Sequence, residues 1–177
     1  MSRVGNKPIK LNDVTITLEN NEIIIEGKKG KLAIQQLSGI EVKIEEGIAI
    51  ISRNDDNKQT KANHGLIRSL INNAVTGVSE GYNYNMFLKG IGYRVQKKGN
   101  NLEFSLGYSH PVLYEAPEGI EFKVDGQDKF SVSSINKQLI GQVCSEIKRL
   151  RRKDSYKGKG IYFEGEVIRK KQGKSVK

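Results

Sequence analysis

Short stretches of alternating apolar and polar residues fill the first 52 positions of the chain. Val14–Leu18 and Glu22–Glu26 flank Asn20-Asn21, a dipeptide typical of tight turns, and are predicted to form a hairpin. The next predicted strands are Leu32–Leu37, Glu41–Glu45 and Ile48–Ser52.

The spacing of apolar residues then changes from the period of a strand to that of a helix. Between Leu66 and Val78, apolar residues recur at spacings of three and four. This pattern predicts an amphipathic helix of about five turns that ends at Gly81.

The second half of the chain repeats this order. Gly39–Ile44 reads GIEVKI and Gly119–Val124 reads GIEFKV, and the repeat ends in a predicted helix over Lys137–Arg151. The predicted strands of this half are Met86–Leu88, Tyr93–Gln96, Leu102–Leu106, Ile120–Val124 and Phe130–Ser133. We therefore expect an α+β fold of two duplicated domains, each a mainly antiparallel β-sheet packed with one α-helix, plus a basic C-terminal extension. The predicted boundaries are 1–81, 82–152 and 153–177.

Charge and aromatic residues are unevenly distributed between these parts. The formal net charge is +10, and residues 148–177 alone carry 12 basic and 3 acidic side chains. So concentrated a positive field favours a polyanionic partner, nucleic acid first and an anionic membrane second. All 7 tyrosines and 5 phenylalanines lie between Tyr82 and Phe163, which predicts an aliphatic first core and an aromatic second one.

Several function classes find no support in the sequence. No apolar run approaches the ~20 residues of a membrane span, and the first residues contain no signal-peptide core. The single cysteine, Cys144, permits no disulfide within the chain and is interpreted as a small core residue. His64 and His110 have no clustered ligand partners, and His64 is interpreted as a structural histidine.

Nucleotide-binding loops are also absent. Gly173-Lys174-Ser175 ends like a Walker motif, but Ile168 stands where the first glycine should be. Gly158-Lys159-Gly160 and Gly90-Ile91-Gly92 each lack the third glycine of a dinucleotide turn. We expect no enzyme, no cofactor and no metal.

The second predicted helix has one apolar and one cationic face. Lys148, Arg149 and Arg152 project opposite its apolar residues at 100° per residue. Basic residues in the last turn of a helix also interact favourably with the helix dipole, and each stabilises the helix by ~0.3–1 kcal/mol. The dipole does not account for the further basic residues that follow the helix.

A lysine- and glycine-rich segment follows the helix. If Tyr156–Gly160 is extended, Lys157 and Lys159 lie on one side, and the glycines leave the backbone open to phosphates. The glycines alternatively mark only a bend before a predicted strand, Ile161–Ile168. Tyr156 either stacks on an unpaired base or covers the sheet edge. Residues 169–177 have no apolar periodicity and are predicted to order only against an anion.

Specific motifs in the chain resemble one known family. Tyr156-Lys157-Gly158-Lys159-Gly160-Ile161, followed by Glu164-Gly165-Glu166, is similar to the C-terminal signature of the bacterial large-subunit ribosomal protein number six family. The resemblance covers nearly the whole chain. Supporting matches are Ser2-Arg3-Val4-Gly5, Lys7-Pro8-Ile9, His64-Gly65, Leu70-Ile71-Asn72-Asn73, Gly77-Val78, Gly90-Ile91-Gly92-Tyr93-Arg94, Leu106-Gly107-Tyr108-Ser109-His110-Pro111, Lys137-Gln138 and Gly141-Gln142.

The resemblance implies a non-catalytic protein that binds large-subunit ribosomal RNA near the base of the flexible stalk, where translation factors dock. Its implied partners are that RNA, other large-subunit proteins and nearby translation factors. The resemblance implies neither binding to a membrane nor a small-molecule substrate. It implies a cytoplasmic ribosome, or an organellar one. The second domain and extension would make most RNA contacts, together with the Leu106–Pro111 loop.

The predicted RNA-binding residues combine the charge pattern with the resemblance. They are Lys148, Arg149, Arg151, Arg152, Lys153, Tyr156, Lys157, Gly158, Lys159, Gly160, Arg169, Lys170, Lys171 and Lys174, with Tyr108, Ser109 and His110 from the loop.

The chain departs from the family pattern at two places. Lys153-Asp154-Ser155 stands where many bacterial members have Pro-Glu-Pro, so a less rigid approach to Tyr156 is expected. Tyr162 occupies a frequently basic position, which removes one expected RNA contact.

Two other classes of function compete with this interpretation. A peripheral membrane or polyanion-binding protein would use the same basic arm, but the tail has no hydrophobic anchor or acylation signal. An RNA-modifying enzyme would need a nucleophile or metal cluster that the sequence does not contain.

Overall fold

The computed structural model describes residues 3–19, 21–45 and 47–174 and divides the chain into two compact units. The first contains the residues up to Tyr82 together with Ile135–Lys137, and the second contains Asn83–Ser134 and the residues from Gln138 onward. Each unit combines antiparallel strands with one long helix, which confirms the predicted α+β fold of two repeats. The boundaries at 81 and 152 stay predictions, and residues 153–174 belong to the second unit.

The first unit has two three-stranded antiparallel sheets, ordered β1-β6-β5 and β2-β3-β4, and helix α1. The predicted hairpin is confirmed, with Thr15 opposite Glu26, and Asn21 adopts a positive φ of 66° in its turn. Asn20 lies outside the described residues. The elements are β1 (Ile9–Lys10), β2 (Thr15–Glu19), β3 (Glu22–Gly27), β4 (Gly30–Gln35), β5 (Ile40–Glu45), β6 (Ile48–Arg53) and α1 (Lys58–Ser79).

The core of the first unit is aliphatic, as predicted. Helix α1 packs against β3, β4, β5 and β6. Ile67 and Ile71 on α1 meet Ile23 and Ile25 of β3 in the same core cluster, and none of these four side chains is exposed. Burial of a large aliphatic side chain is worth ~1.5–3 kcal/mol, so this cluster stabilises the unit without aromatic rings.

The second unit repeats the arrangement with one more strand in one sheet. Its sheets are ordered β10-β9-β8 and β11-β12-β7-β13. The elements are β7 (Tyr82–Lys89), β8 (Arg94–Lys98), β9 (Asn101–Ser105), β10 (Val112–Tyr114), β11 (Glu121–Asp125), β12 (Lys129–Ser134), α2 (Lys137–Leu150) and β13 (Gly160–Phe163). Helix α2 therefore ends one residue before the predicted Arg151.

Aromatic rings join a larger number of aliphatic side chains in the core of the second unit, so the predicted aromatic core is confirmed only in part. Phe104 and Phe130 meet edge-to-face with ring centroids 5.5 Å apart, and both are buried. Tyr114 and Phe122 form a second edge-to-face pair at 6.2 Å. Such pairs add about 0.5–1.5 kcal/mol to the burial of the rings themselves.

The predicted strand Ile161–Ile168 is wrong in its second half. β13 pairs antiparallel with β7, Gly160 opposite Lys89, and ends at Phe163. Gly165 has a positive φ of 80°, and the Glu166 N–H donates to the Phe163 carbonyl at 3.1 Å. This turn directs the chain away from the sheet.

Candidate nucleic-acid interface

The end of α2 separates apolar from cationic side chains. Ile140, Val143 and Ile147 are buried, whereas Arg149 and Arg152 are exposed. The side chains of Arg149 and Arg152 form no hydrogen bond or ion pair within the part of the chain that the structure describes, although Arg149 helps to lower the pKa of Glu146. Their exposure agrees with the predicted cationic face, and their contact with an anion stays a prediction.

Lys148 and Lys153 differ from these two arginines, because both lysines bind the carboxylate of Glu166. The Lys148 ammonium lies 3.0 Å from a Glu166 oxygen and 4.4 Å from the centroid of the Phe163 ring. Lys153 donates to the other oxygen of Glu166, and the Phe163 N–H donates to Glu166 at 3.1 Å. Unlike Arg149 and Arg152, Lys148 is therefore paired with a carboxylate of its own chain, and its contact with RNA stays a prediction.

The Glu166 carboxylate stays ionised despite partial burial. Its side chain is 25% exposed. Burial opposes ionisation, but the hydrogen bonds from Lys153 and Lys148 outweigh it and lower the pKa of Glu166 to about 2. The turn after β13 is thus fixed to α2 and to Lys153 by a charged three-residue cluster of Lys148, Lys153 and Glu166.

Replacing Glu166 with glutamine is expected to destabilise the second unit by about 2 kcal/mol at pH 7. Because the pKa of Glu166 is lowered in the folded protein, its contribution is complete above the ordinary value of 4.5 and is lost as pH falls toward 2. Urea unfolding followed by tyrosine fluorescence at pH 7 and pH 3 should show a smaller acid-induced loss for Glu166→Gln than for the wild type.

The exposed Glu118 supplies the control, because it has no described ion-pair partner. Glu118→Gln should unfold like the wild type at both pH values. An equal acid-induced loss in the wild type and Glu166→Gln would show that the cluster contributes no stability.

A tight turn, not an extended segment, leads from α2 to β13. The Asp154 carboxylate accepts the N–H groups of Tyr156 at 2.9 Å and Lys157 at 3.0 Å. These backbone bonds lower the pKa of Asp154. The Gly158 N–H donates to the Asp154 carbonyl at 2.9 Å, which closes the turn.

This turn decides between two interpretations of the sequence. Tyr156–Gly160 is not extended, because Asp154 accepts the amides that follow it and the chain turns there. The less rigid approach to Tyr156 expected from Lys153-Asp154-Ser155 stays a prediction.

The two glycines of this segment are buried against their own chain. Gly158 has a φ of 70°, and a side chain at Gly160 would lie 2.9 Å from the Lys153 Cα. The amides of Tyr156, Lys157 and Gly158 are also already bonded within the turn. The glycines therefore fit the bend before β13, the alternative interpretation of the sequence, and the backbone contact with phosphate stays a prediction.

The side chains of this turn differ in exposure. Tyr156 is 60% exposed and forms no aromatic-pair or cation–π contact with the described residues, so most of its ring stays open to a partner. Tyr162 is 3% exposed and stacks on Phe87 at 5.2 Å, with its hydroxyl donating to the Gly158 carbonyl at 2.7 Å. The tyrosine at the frequently basic position therefore has a structural role.

The loop before β10 meets the end of α2. The Tyr108 hydroxyl donates to the Leu150 carbonyl at 2.9 Å and so satisfies one of the last carbonyls of the helix. The Arg151 guanidinium lies 4.7 Å from the Tyr108 ring centroid, and its Nε donates to the Tyr93 hydroxyl at 3.1 Å. Ser109 and His110 are exposed beside Tyr108 in this loop.

Tyr93, like Asp154 and Glu166, is a residue of this site that the sequence analysis did not select. It is 8% exposed, and its hydroxyl supports Arg151 from the loop between β7 and β8. No periodicity marks a contact between residues 58 positions apart. Only its neighbouring glycines, Gly90 and Gly92, distinguish the position in the sequence.

The last described residues form no regular element. Arg169, Lys170, Lys171 and Lys174 are exposed, and the Lys171 N–H donates to the Ser155 carbonyl at 2.9 Å. The predicted ordering of this arm against an anion stays a prediction, and its residues 175–177 lie outside the described part of the chain.

The described residues hold no group of three or more histidine, cysteine or acidic side chains that could bind a metal. Within them, no helix is both long and apolar enough to cross a bilayer. His64 is buried, with Nε2 at 2.9 Å from the Ile51 carbonyl, which confirms a structural histidine. Cys144 is a buried core residue as predicted, and burial raises the pKa of its thiol to about 11.

The second of the two α+β repeats carries a surface of exposed cations, which favours a polyanionic partner such as nucleic acid. A family model described as ribosomal protein L6 matches residues 12–81 and 89–164. The chain belongs to the ribosomal protein L6 family. It is thus a structural protein of the large ribosomal subunit that binds ribosomal RNA and lies among other ribosomal proteins.

Proposed function

We propose that the chain anchors large-subunit ribosomal RNA near the base of the flexible stalk, beside the region where translation factors dock. The second unit makes the contact. The exposed cations at the end of α2 and beyond it carry this proposal, because they have no ion-pair partner in the described chain. They are Arg149, Arg152, Lys157, Arg169, Lys170, Lys171 and Lys174, with the half-buried Lys159.

The proposed contact divides the predicted residues by role. The exposed cations neutralise phosphates. Counterions are thereby released from the RNA, and this release gives an affinity that does not depend on sequence. Lys148 and Lys153 hold Glu166, and Arg151 holds the Tyr108 loop, so these three orient the surface and add to its field. Gly158 and Gly160 shape the turn that presents Lys157 and Lys159.

Tyr156 is the proposed base contact in this surface. Its ring is exposed, and Asp154 fixes the backbone on which it stands. Aromatic stacking on an unpaired base is worth ~1–3 kcal/mol and tolerates any base. Ser109 and His110 are proposed as neighbouring polar contacts, because their loop is bonded to the end of α2 through Tyr108.

Directed hydroxyl-radical probing would test the location. Buried Cys144 is first replaced by alanine, and an iron chelate is attached to a cysteine at exposed Ser109 in the full chain. After assembly into large subunits, cleavage should concentrate near the stalk base. A chelate at exposed Lys43 of the first unit serves as the control. Cleavage from Ser109 confined to RNA remote from the stalk base would overturn the proposed location.

The cellular setting is part of the same proposal. We place the protein in cytoplasmic ribosomes, with translation factors binding nearby, and a mitochondrial or plastid ribosome is the alternative setting. Fractionation with antibody detection distinguishes these two settings directly.

A further inference from the structure

One large apolar side chain outside the cationic surface is almost fully exposed. Ile91 is 94% exposed, in the short loop between β7 and β8. Glycines flank it on both sides, Gly90 and Gly92. Nothing in the described fold of the second unit requires isoleucine at this position.

The loop that carries Ile91 is rigidly built. The Tyr93 N–H donates to the Gly90 carbonyl at 3.2 Å, and Gly92 adopts a φ of 78°. A side chain at Gly90 would lie 2.8 Å from the Tyr93 ring, so only glycine fits there. The turn therefore holds the backbone of Ile91 in one conformation, so that only the rotamers of its side chain lose freedom on binding.

The base of this loop is fixed as well. The Leu88 N–H donates to the Asp128 carbonyl at 2.7 Å, and the Val95 N–H donates to the Gln127 carbonyl at 2.8 Å. Both strands that enter the loop are thus held by the turn between β11 and β12.

Tyr93 connects this loop to the cationic surface. Its hydroxyl accepts from Arg151 at 3.1 Å, and a side chain at Gly107 would lie 3.4 Å from its ring. Arg151 in turn lies over Tyr108. Three segments that are far apart in sequence, the Ile91 loop, the Tyr108 loop and the end of α2, therefore meet at one buried tyrosine.

The charge around Ile91 favours an RNA partner over a protein partner. Residues 89–98 contain four basic side chains and no acidic one, and residues 148–153 contain five and none. Lys89 and Arg94 on either side of the turn are exposed. Apolar cores of protein interfaces are depleted of charge, whereas RNA combines phosphates with the apolar faces of riboses and bases.

We propose that the Gly90–Tyr93 turn is a further RNA contact, in which Ile91 packs against ribose and base carbons while Lys89 and Arg94 meet the flanking phosphates. The proposal rests on the proposed function, since it extends the same RNA-binding surface of the second unit. It adds an apolar contact that the distribution of charge does not reveal.

Ile91→Ala tests this contact in the full-length protein, with a large-subunit rRNA fragment as the probe. The substitution should weaken binding about tenfold, because three side-chain carbons no longer pack against the RNA. The slope of log K against log salt should not change, since an apolar contact releases no counterions. Unfolding should also be unchanged, because the side chain is exposed.

Two comparisons make the result decisive. Val167→Ala alters another apolar side chain of the second unit, 90% exposed, and should bind RNA like the wild type. Arg149→Gln with Arg152→Gln should lower the salt slope. Wild-type binding by Ile91→Ala while the arginine variant is weakened would overturn this inference and leave the proposed function standing.

Two other outcomes would contradict the proposed function or the RNA contact of Ile91. If neither the Ile91 nor the arginine variant weakens binding, the proposed function itself fails. If Ile91→Ala binds RNA normally but enters large subunits poorly, the loop contacts a neighbouring protein and the RNA assignment is wrong.

Discussion

Replacing four cations of the second unit with glutamine is expected to weaken rRNA binding by roughly a hundred- to a thousandfold at 0.15 M salt. These cations lie at the end of α2 and in the turn that follows it, and none has a carboxylate of the described chain within 4 Å. The salt slope should fall by about 0.9 for each phosphate that is no longer neutralised, and so by roughly 3.6 in total. The four substitutions are Arg149→Gln, Arg152→Gln, Lys157→Gln and Lys159→Gln.

A control variant with the same change in net charge shows whether the position of the removed cations, or only the total charge, determines RNA binding. Four exposed lysines of the first unit are replaced with glutamine in this control: Lys10, Lys31, Lys43 and Lys58. Filter-binding titrations of both variants between 50 and 200 mM salt should show a large decrease in affinity and in slope only for the second-unit variant. Equal decreases would mean that net charge, and not this surface, determines binding.

The repeated α+β fold could be predicted because its main signals are local. The spacing of Ile67 and Ile71 indicated α1, and the repeated GIEVKI and GIEFKV segments indicated duplication. Strands β1 and β10 were not predicted, because two and three residues are too few to show an alternation. The presence of aromatic rings in the core of the second unit followed directly from their distribution in the chain.

The roles of the basic residues could not be predicted in the same way. Whether Lys148 faces solvent depends on Glu166, which lies 18 positions later and reaches it only through the turn after β13. Helical projection places Lys148 beside Arg149 and contains no information about that turn. The sequence therefore predicts where positive charge accumulates, whereas the tertiary structure determines which charges stay unpaired.

The turn at Asp154 had a local signal that the sequence analysis did not use. Aspartate commonly begins a tight turn by accepting the N–H of the residue two positions later. The alternation of lysine and glycine from Lys157 to Gly160 left two conformations open, an extended segment and a bend before the strand. Both glycines are needed here for their backbone angles and small size, so the same residues fit two conformations and only the contacts of Asp154 distinguish them.

Gly160→Ala is expected to destabilise the second unit by about 3 kcal/mol. Gly160 has a φ of 141°, which side-chain-bearing residues rarely adopt. Its new Cβ would lie 2.9 Å from the Lys153 Cα and 3.1 Å from the Arg152 carbonyl oxygen. Because both are backbone atoms, no side-chain rotation relieves the clash, and the segment carrying Arg152 must move away from β13.

Urea unfolding followed by tyrosine fluorescence measures this effect where it arises, because most tyrosines belong to the second unit. Gly141→Ala is the matched control: it is an exposed position of α2 with no atom near the added Cβ, and alanine there should stabilise by about 0.5–1 kcal/mol. Opposite signs for the two substitutions are the expected result. If Gly160→Ala unfolds like the wild type, the close contact between β13 and the end of α2 does not hold the cationic turn in place, and Lys157 and Lys159 must be oriented by the RNA itself.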